Sequence, residues 1–131
     1  MKATTGIRAV DEMLQGIRPG DNIVWKVENA DDYAELARPF WQSALQRDEP
    51  VIYFRFAEHP ALLPRDCGAQ FVDLEPEHGF EQFITMIHRV IGEAGPHTNY
   101  VFDMFSELVR DWYSERMVGN FFMLTCPYLY A

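Results

Sequence analysis

The sequence predicts an α/β fold with three layers, in which a mostly parallel sheet of five strands lies between helices. Two observations support this prediction. Short segments rich in β-branched and aromatic residues alternate along the chain with longer segments whose apolar residues recur at every third or fourth position. The 131 residues are 48% hydrophobic, which suits a single packed domain spanning 1–131.

The first predicted strand, "NIVWKV" (22–27), is mostly apolar, as is typical of a strand covered on both faces. Asn29 is placed to cap the helix that follows, and Asp31 and Asp32 occupy its first turn, where acidic side chains suit the helix dipole. Pro39 is expected to kink this helix or shift its start. The predicted strands are 22–28, 51–56, 70–74, 99–105 and 120–126, and the predicted helices are 31–46, 79–93 and 106–118.

The composition excludes several classes of function. Twenty acidic residues against eleven basic ones give a net charge of −9, whereas nucleic-acid surfaces and anionic membranes attract clustered Lys and Arg. No apolar run approaches the length of a membrane span. The two cysteines, Cys67 and Cys126, have no CxxC spacing. We therefore expect a cytoplasmic protein with free thiols and no metal or other cofactor.

The opening segment "TTGIRAVDEMLQGIRPGDNIVW" resembles the start of KaiC-like ATPases of the RecA superfamily. The segments "EPVIYFRFAEHP" and "YVFDMFSEL" resemble the second-strand and Walker B regions of the same family, and the likeness covers residues 4–126. The resemblance implies a RecA/KaiC-like P-loop NTPase fold. The matching residues of the opening are Thr5, Gly6, Ile7, Val10, Asp11, Leu14, Gly16, Pro19 and Gly20.

The turn after the first predicted strand departs from that family, because its Walker A loop is lost. The family's glycines correspond to Val27, Ala30 and Asp32, its lysine to Tyr33 and its Mg²⁺-binding hydroxyl to Ala34. A turn without glycine does not readily wrap backbone N–H groups around a phosphate. Asp31 and Asp32 add two negative charges, which at about 4 Å from a phosphate cost on the order of several kcal/mol. The degenerate loop is therefore predicted to repel nucleotide phosphates.

Two acids remain from the family pattern. Asp103 corresponds to the Walker B aspartate, and Glu58 to the second of the paired glutamates, while Ala57 replaces the first. A carboxylate at the carboxyl edge of a parallel sheet lies where ligands commonly bind. The structural alternative for Asp103 is that it caps a helix beginning near Ser106. With one glutamate and the Walker A residues missing, no catalytic residue is predicted.

The predicted sheet has an open edge. Family members continue through further strands, so a chain ending at Ala131 is expected to be truncated at its C-terminus or to complete its sheet with a partner. The interface candidates are Trp25, Tyr128, Leu129 and Tyr130. These features predict a homo-oligomer or a part of a longer chain.

The function expected from these observations is that of a non-catalytic domain with a regulatory or protein-interaction role. One alternative is the N-terminal module of a larger nucleotide-using phosphotransferase of the phosphoenolpyruvate synthase kind. Another is a small-molecule sensor that binds a neutral or cationic ligand near Glu58, Asp103 and Thr125.

Overall fold

A parallel sheet of three strands forms the centre of the fold in the computed structural model, which describes residues 3–106, 121 and 123–125. The strand order is β2-β1-β3. The helices are α1 (Arg8–Met13), α2 (Ala30–Gln46) and α3 (Phe80–Ala94), the strands are β1 (Val51–Arg55), β2 (Gln70–Asp73) and β3 (Asn99–Phe102), and a short 3₁₀ helix spans Pro76–His78.

Three of the predicted strands and two of the predicted helices are therefore present. The Asn29 side chain accepts a hydrogen bond from the Asp32 N–H at 2.9 Å, which confirms the predicted cap of α2. The helix begins at Ala30 and runs through Pro39 to Gln46, so the proline does not shift its start. The short helix α1 is an addition to the predicted helices.

Helices cover both faces of the sheet, because successive residues of a strand point to opposite sides. One face packs against α2, through Val51, Tyr53 and Val101 from the sheet and Ala37, Trp41 and Ala44 from the helix. The other face packs against α3, through Ile52 and Phe54 from β1 and Phe83, Ile84, Ile87 and Ile91 from the helix. The α/β class and the helical layers follow from this alternation.

The predicted first strand, 22–28, is not a strand. The segment has no regular secondary structure, and its Val24 side chain is 73% exposed rather than covered. It lies across a cleft from β3 instead of pairing with it. The Phe102 carbonyl, on the outer edge of β3, accepts a hydrogen bond from the Tyr33 hydroxyl at 2.7 Å and not from this segment. A β-rich segment without a backbone partner does not become a strand.

The predicted fifth strand, 120–126, is also wrong. Phe121 and residues 123–125 are helical. Phe121 and Thr125, four positions apart, are buried, whereas Met123 between them is 76% exposed. In a strand all three side chains would share one face, so the burial pattern is that of a helix. The prediction of a five-stranded RecA/KaiC-like sheet is therefore wrong, although the α/β class holds.

The remaining predictions on the C-terminal part fall mostly outside the described residues. Ser106 is helical, but the rest of the predicted helix 106–118 is not described. The interface candidates Tyr128, Leu129 and Tyr130 also lie outside the described residues. Within the described part of the chain, no helix is long and apolar enough to cross a membrane.

Candidate functional site

Asp103 follows β3 directly and is the centre of a buried polar cluster. The residue is 1% exposed and its side chain is fully buried. Oδ2 accepts hydrogen bonds from the N–H groups of Phe56 and Ala57, at 2.8 and 2.9 Å, and from Arg55 Nη1 at 2.9 Å. Oδ1 accepts the Tyr53 hydroxyl. The carboxylate thus binds the chain that leaves β1, and in the described part of the structure these contacts take the place of the predicted cap near Ser106.

Arg55 balances the charge of Asp103 and shapes the loop after β1. Its guanidinium donates to the carbonyl oxygens of Ala57, at 2.6 Å, and of His59. Burial works against the charged guanidinium, but the hydrogen bond and the negative charge of Asp103 raise the pKa of Arg55 above its usual value. An arginine paired with a carboxylate and with two carbonyl oxygens is well satisfied in a partly buried position.

Tyr53 completes this cluster from the middle of β1. Its side chain is fully buried, and its hydroxyl also accepts a hydrogen bond from the Leu62 N–H at 3.0 Å. Burial and, after it, the hydrogen bond to Asp103 raise the pKa of the Tyr53 hydroxyl well above its usual value. The hydroxyl therefore stays protonated, as its role as donor to Asp103 requires.

His59 closes the cluster on the side of β3. Its Nε2 lies 3.3 Å from the Met104 N–H and 3.7 Å from Asp103 Oδ1, and its Nδ1 lies 2.9 Å from the Pro60 carbonyl oxygen. The Met104 N–H is a donor and the Pro60 carbonyl is an acceptor. These two partners match the tautomer with a proton on Nδ1.

Asp103 and Glu58 are placed in different environments. Asp103 is buried with its partners, whereas Glu58 is exposed on the loop that follows β1. The sequence prediction named these two acids and missed Tyr53, Arg55 and His59. A signal for Arg55 was present, because a charged residue in the apolar segment "VIYFRF" needs a buried partner of opposite charge.

The degenerate loop ends beside the same edge of the sheet. Asp31 and Asp32 are exposed in the first turn of α2. Tyr33 is half-buried, and its hydroxyl donates to the Phe102 carbonyl. Burial raises the pKa of Tyr33 well above its usual value, and the nearby charge of Asp103 raises it further. Tyr33 is thus a neutral hydrogen-bond donor at the position where the resemblance places a lysine.

A cleft of about 590 Å³ lies between the outer side of β3 and the irregular segment before α2. Its walls include residues 17–27, residues 98–106, Tyr33 and Phe121. The interface candidate Trp25 is half-buried in this lining. A volume of this size is typical of small-molecule and cofactor pockets.

The main chain of β3 faces this cleft at alternate residues. The N–H groups of Asn99 and Asp103 donate to Pro50 and Phe54 of the β1 side, at 2.9 and 3.1 Å. Tyr100 and Phe102 therefore direct their N–H and C=O groups away from β1. Tyr33 occupies the Phe102 carbonyl, but among the described residues none hydrogen-bonds to the main chain of Tyr100.

Among the residues that the structure describes, one group of side chains has the composition of a metal site. Glu75, Glu77 and His78 place their ligand atoms within 4.8 Å of one another, but all three residues are exposed. The His78 Nδ1 lies 2.9 Å from a Glu75 carboxylate oxygen, a contact that needs no metal. Cys67 is a free, half-buried thiol, and Cys126 lies outside the described residues.

The resemblance to KaiC-like ATPases rests on the sequence motifs quoted above. No protein-family model matches the chain, and no curated protein sequence is significantly similar to it.

Proposed function

We propose that this chain is a non-catalytic domain that binds a protein partner through the cleft beside β3, in a regulatory role. The observation that carries the proposal is the outer edge of β3, whose Tyr100 main chain faces the cleft without a hydrogen-bond partner among the described residues. Edge strands with free N–H and C=O groups readily pair with other chains.

The wall opposite β3 supports a protein partner as well. Ile23 and Val24 are large apolar residues that line the cleft, and they are 36% and 73% exposed. Exposed apolar side chains next to open backbone groups are typical of surfaces that another chain covers. Trp25 adds an aromatic side chain of the type that anchors many interfaces.

The chemistry beside the cleft favours a non-catalytic role. Four hydrogen-bond donors bind the Asp103 carboxylate, which therefore has a structural role. Tyr33 offers a neutral hydroxyl where a nucleotide-binding lysine would be needed. Asp31 and Asp32 add negative charge at the start of α2, which disfavours a triphosphate there.

Site-specific photocrosslinking tests this function. A photoreactive benzoylphenylalanine replaces Val24 in one variant and Met86, a 40% exposed residue of α3 outside the cleft lining, in the control. After irradiation of cells that naturally express the chain, we expect a discrete protein adduct from position 24 that Trp25→Glu abolishes. Equal labelling from both positions, or no protein adduct at position 24, would contradict the proposal.

A second candidate is a small-molecule sensor, and the cleft volume of about 590 Å³ favours it because small-molecule pockets have volumes of this order. Asp103 and Thr125 both belong to the lining, whereas Glu58 does not. Asp103 is neutralised by Arg55, so a neutral ligand suits this cleft better than a cationic one. A thermal-shift screen of neutral, mostly apolar compounds tests this candidate, and Val101→Ala should weaken any stabilisation. Binding that does not respond to changes in the lining would exclude it.

A further inference from the structure

The register of β3 determines which of its main-chain groups a partner could bind. Because Asn99 and Asp103 donate to the β1 side, the next outward-facing main-chain groups are those of Tyr100. An added strand would exchange its hydrogen bonds with the Tyr100 N–H and C=O. The strand would lie in the cleft between β3 and residues 17–27.

Tyr33 limits how far such a strand can extend. Its hydroxyl donates to the Phe102 carbonyl at 2.7 Å, and Phe102 is the next outward-facing residue of β3. A strand paired at Tyr100 therefore meets an occupied acceptor at Phe102. A side-chain hydroxyl that binds one edge carbonyl leaves fewer main-chain groups open for pairing. Natural edge strands carry other features that limit pairing in the same way.

The charge at this end of the cleft selects the partner's chemistry. Glu28, Asp31 and Asp32 are exposed in the turn between Val27 and Tyr33, two residues that line the cleft. The whole chain carries a net charge of −9. The buried Asp103 is paired with Arg55. The lining also holds the exposed Arg18 and Lys26 against the exposed Asp21, so together with the three acids of the turn this wall of the cleft carries a net charge of −2. A second copy of this chain would bring nine more negative charges, which disfavours it relative to a basic partner.

We propose that the cleft binds an extended segment of another protein as an additional strand on β3, with a basic residue beside the 28–32 turn and with Tyr33 as the stop at Phe102. This inference rests on the proposed function. It specifies the extended conformation of the partner's segment, the register in which that segment pairs with β3, and the charge at one end of the segment. Main-chain bonds to Tyr100 supply binding, and the acidic turn and the Tyr33 stop supply selectivity.

Synthetic peptides test the binding mode. The probe is an acetylated and amidated heptapeptide of alternating valine and threonine with lysine at both ends. One control replaces both lysines with glutamate, and another carries N-methyl groups on alternate amides, which removes donors while keeping the side chains. Titration calorimetry should show binding of the lysine peptide, with at least a tenfold loss, about 1.4 kcal/mol, for each control.

The Tyr33→Phe variant tests the stop. It frees the Phe102 carbonyl with little change in shape, so the lysine peptide should bind about fivefold more tightly through one more hydrogen bond. Met86→Asp, outside the cleft lining, should leave the affinity unchanged. An unchanged or weaker affinity in Tyr33→Phe would show that Tyr33 does not limit the edge.

Several results would overturn the inference and leave the proposed function intact. Equal binding of the N-methylated peptide would rule out strand addition, and equal binding of the glutamate peptide would rule out the basic partner. A peptide affinity that falls as the protein concentration rises would show that a second copy fills the cleft. If none of the peptides binds while Val24 still crosslinks to a protein, the partner uses a different binding mode.

Discussion

Arg55 Nη1 lies 2.9 Å from Asp103 Oδ2, and this ion pair joins the carboxyl ends of the neighbouring strands β1 and β3. The Asp103 side chain is fully buried, while that of Arg55 retains slight exposure. Removing one partner of such a pair leaves a charge without compensation, which costs more than the pair itself contributes.

We expect Asp103→Asn to lower the free energy of unfolding by about 3–5 kcal/mol. Arg55→Met in the same chain should restore part of the loss, because it removes the orphaned charge. Urea denaturation measures both values. Asp73→Asn is the matched control, since Asp73 pairs with Arg65 at 3.4 Å on the surface and should cost less than about 1 kcal/mol. Equal losses for the two aspartates would show that the buried cluster is not a structural link.

Gly6 is expected to be intolerant of any side chain. It has a φ of 81°, and a β-carbon there would overlap the Pro39 carbonyl of α2. Gly16 has a similar φ of 87°, but open space surrounds its β-carbon position. Gly16→Ala should therefore lower the free energy of unfolding by about 1–2 kcal/mol, the cost of the backbone conformation alone. Gly6→Ala should lower it clearly more. Thermal unfolding of the two variants compares them, and equal losses would contradict close packing of the N-terminal turn on α2.

The lowered pKa of His88 predicts that the protein loses stability at mildly acidic pH. Burial lowers its pKa below the usual value of 6.5, and its Nε2 lies 3.1 Å from the Thr125 hydroxyl oxygen. As the pH falls below about 6.5, the unfolded chain binds a proton at His88 before the folded chain does. The contribution of His88 to the stability of the fold is therefore complete above that pH. It is lost as the pH falls towards the lowered pKa. Denaturation at about pH 8 and about pH 5.5 should show a smaller difference for His88→Gln than for the unchanged chain.

ATP with Mg²⁺ is expected not to bind at the 27–34 turn. Tyr33 and the acids Asp31 and Asp32 stand where the resemblance places phosphate-binding groups. Titration calorimetry should find no affinity tighter than about 100 μM. Tighter binding that is abolished by changing Tyr33 would contradict both this prediction and the non-catalytic role.

Self-association through the exposed apolar wall is the remaining expectation from the sequence. Light scattering at micromolar concentration should report the mass of one 15.3 kDa chain at low salt, where the net charge of −9 repels a second copy from the cleft, and a larger mass at high salt, where that charge is screened. Val24→Asp should reduce that mass and Met86→Asp should not. A monomer at every salt concentration would contradict self-association. The partner would then have to be a different protein.

Local sequence patterns were sufficient for the elements that carry their own signals. The periodic apolar residues of α2 and α3, the Asn29 cap and the runs 51–56, 70–74 and 99–105 all correspond to observed elements. The α/β class follows from the order of these elements. The acidic, glycine-free turn before Tyr33 was also evident from the residues alone.

Tertiary structure decided which β-rich segments became strands and how Asp103 is used. Residues 22–27 have strand composition, but the carbonyl of Phe102 on the facing edge is bound by Tyr33, 69 positions away in the chain. Asp103 takes its partner Arg55 from 48 positions away. Hydrogen bonds and ion pairs between such distant residues depend on how the elements pack. Composition and periodicity report only the preferences of neighbouring residues, so they could not reveal the open edge of β3 or the buried cluster beside it.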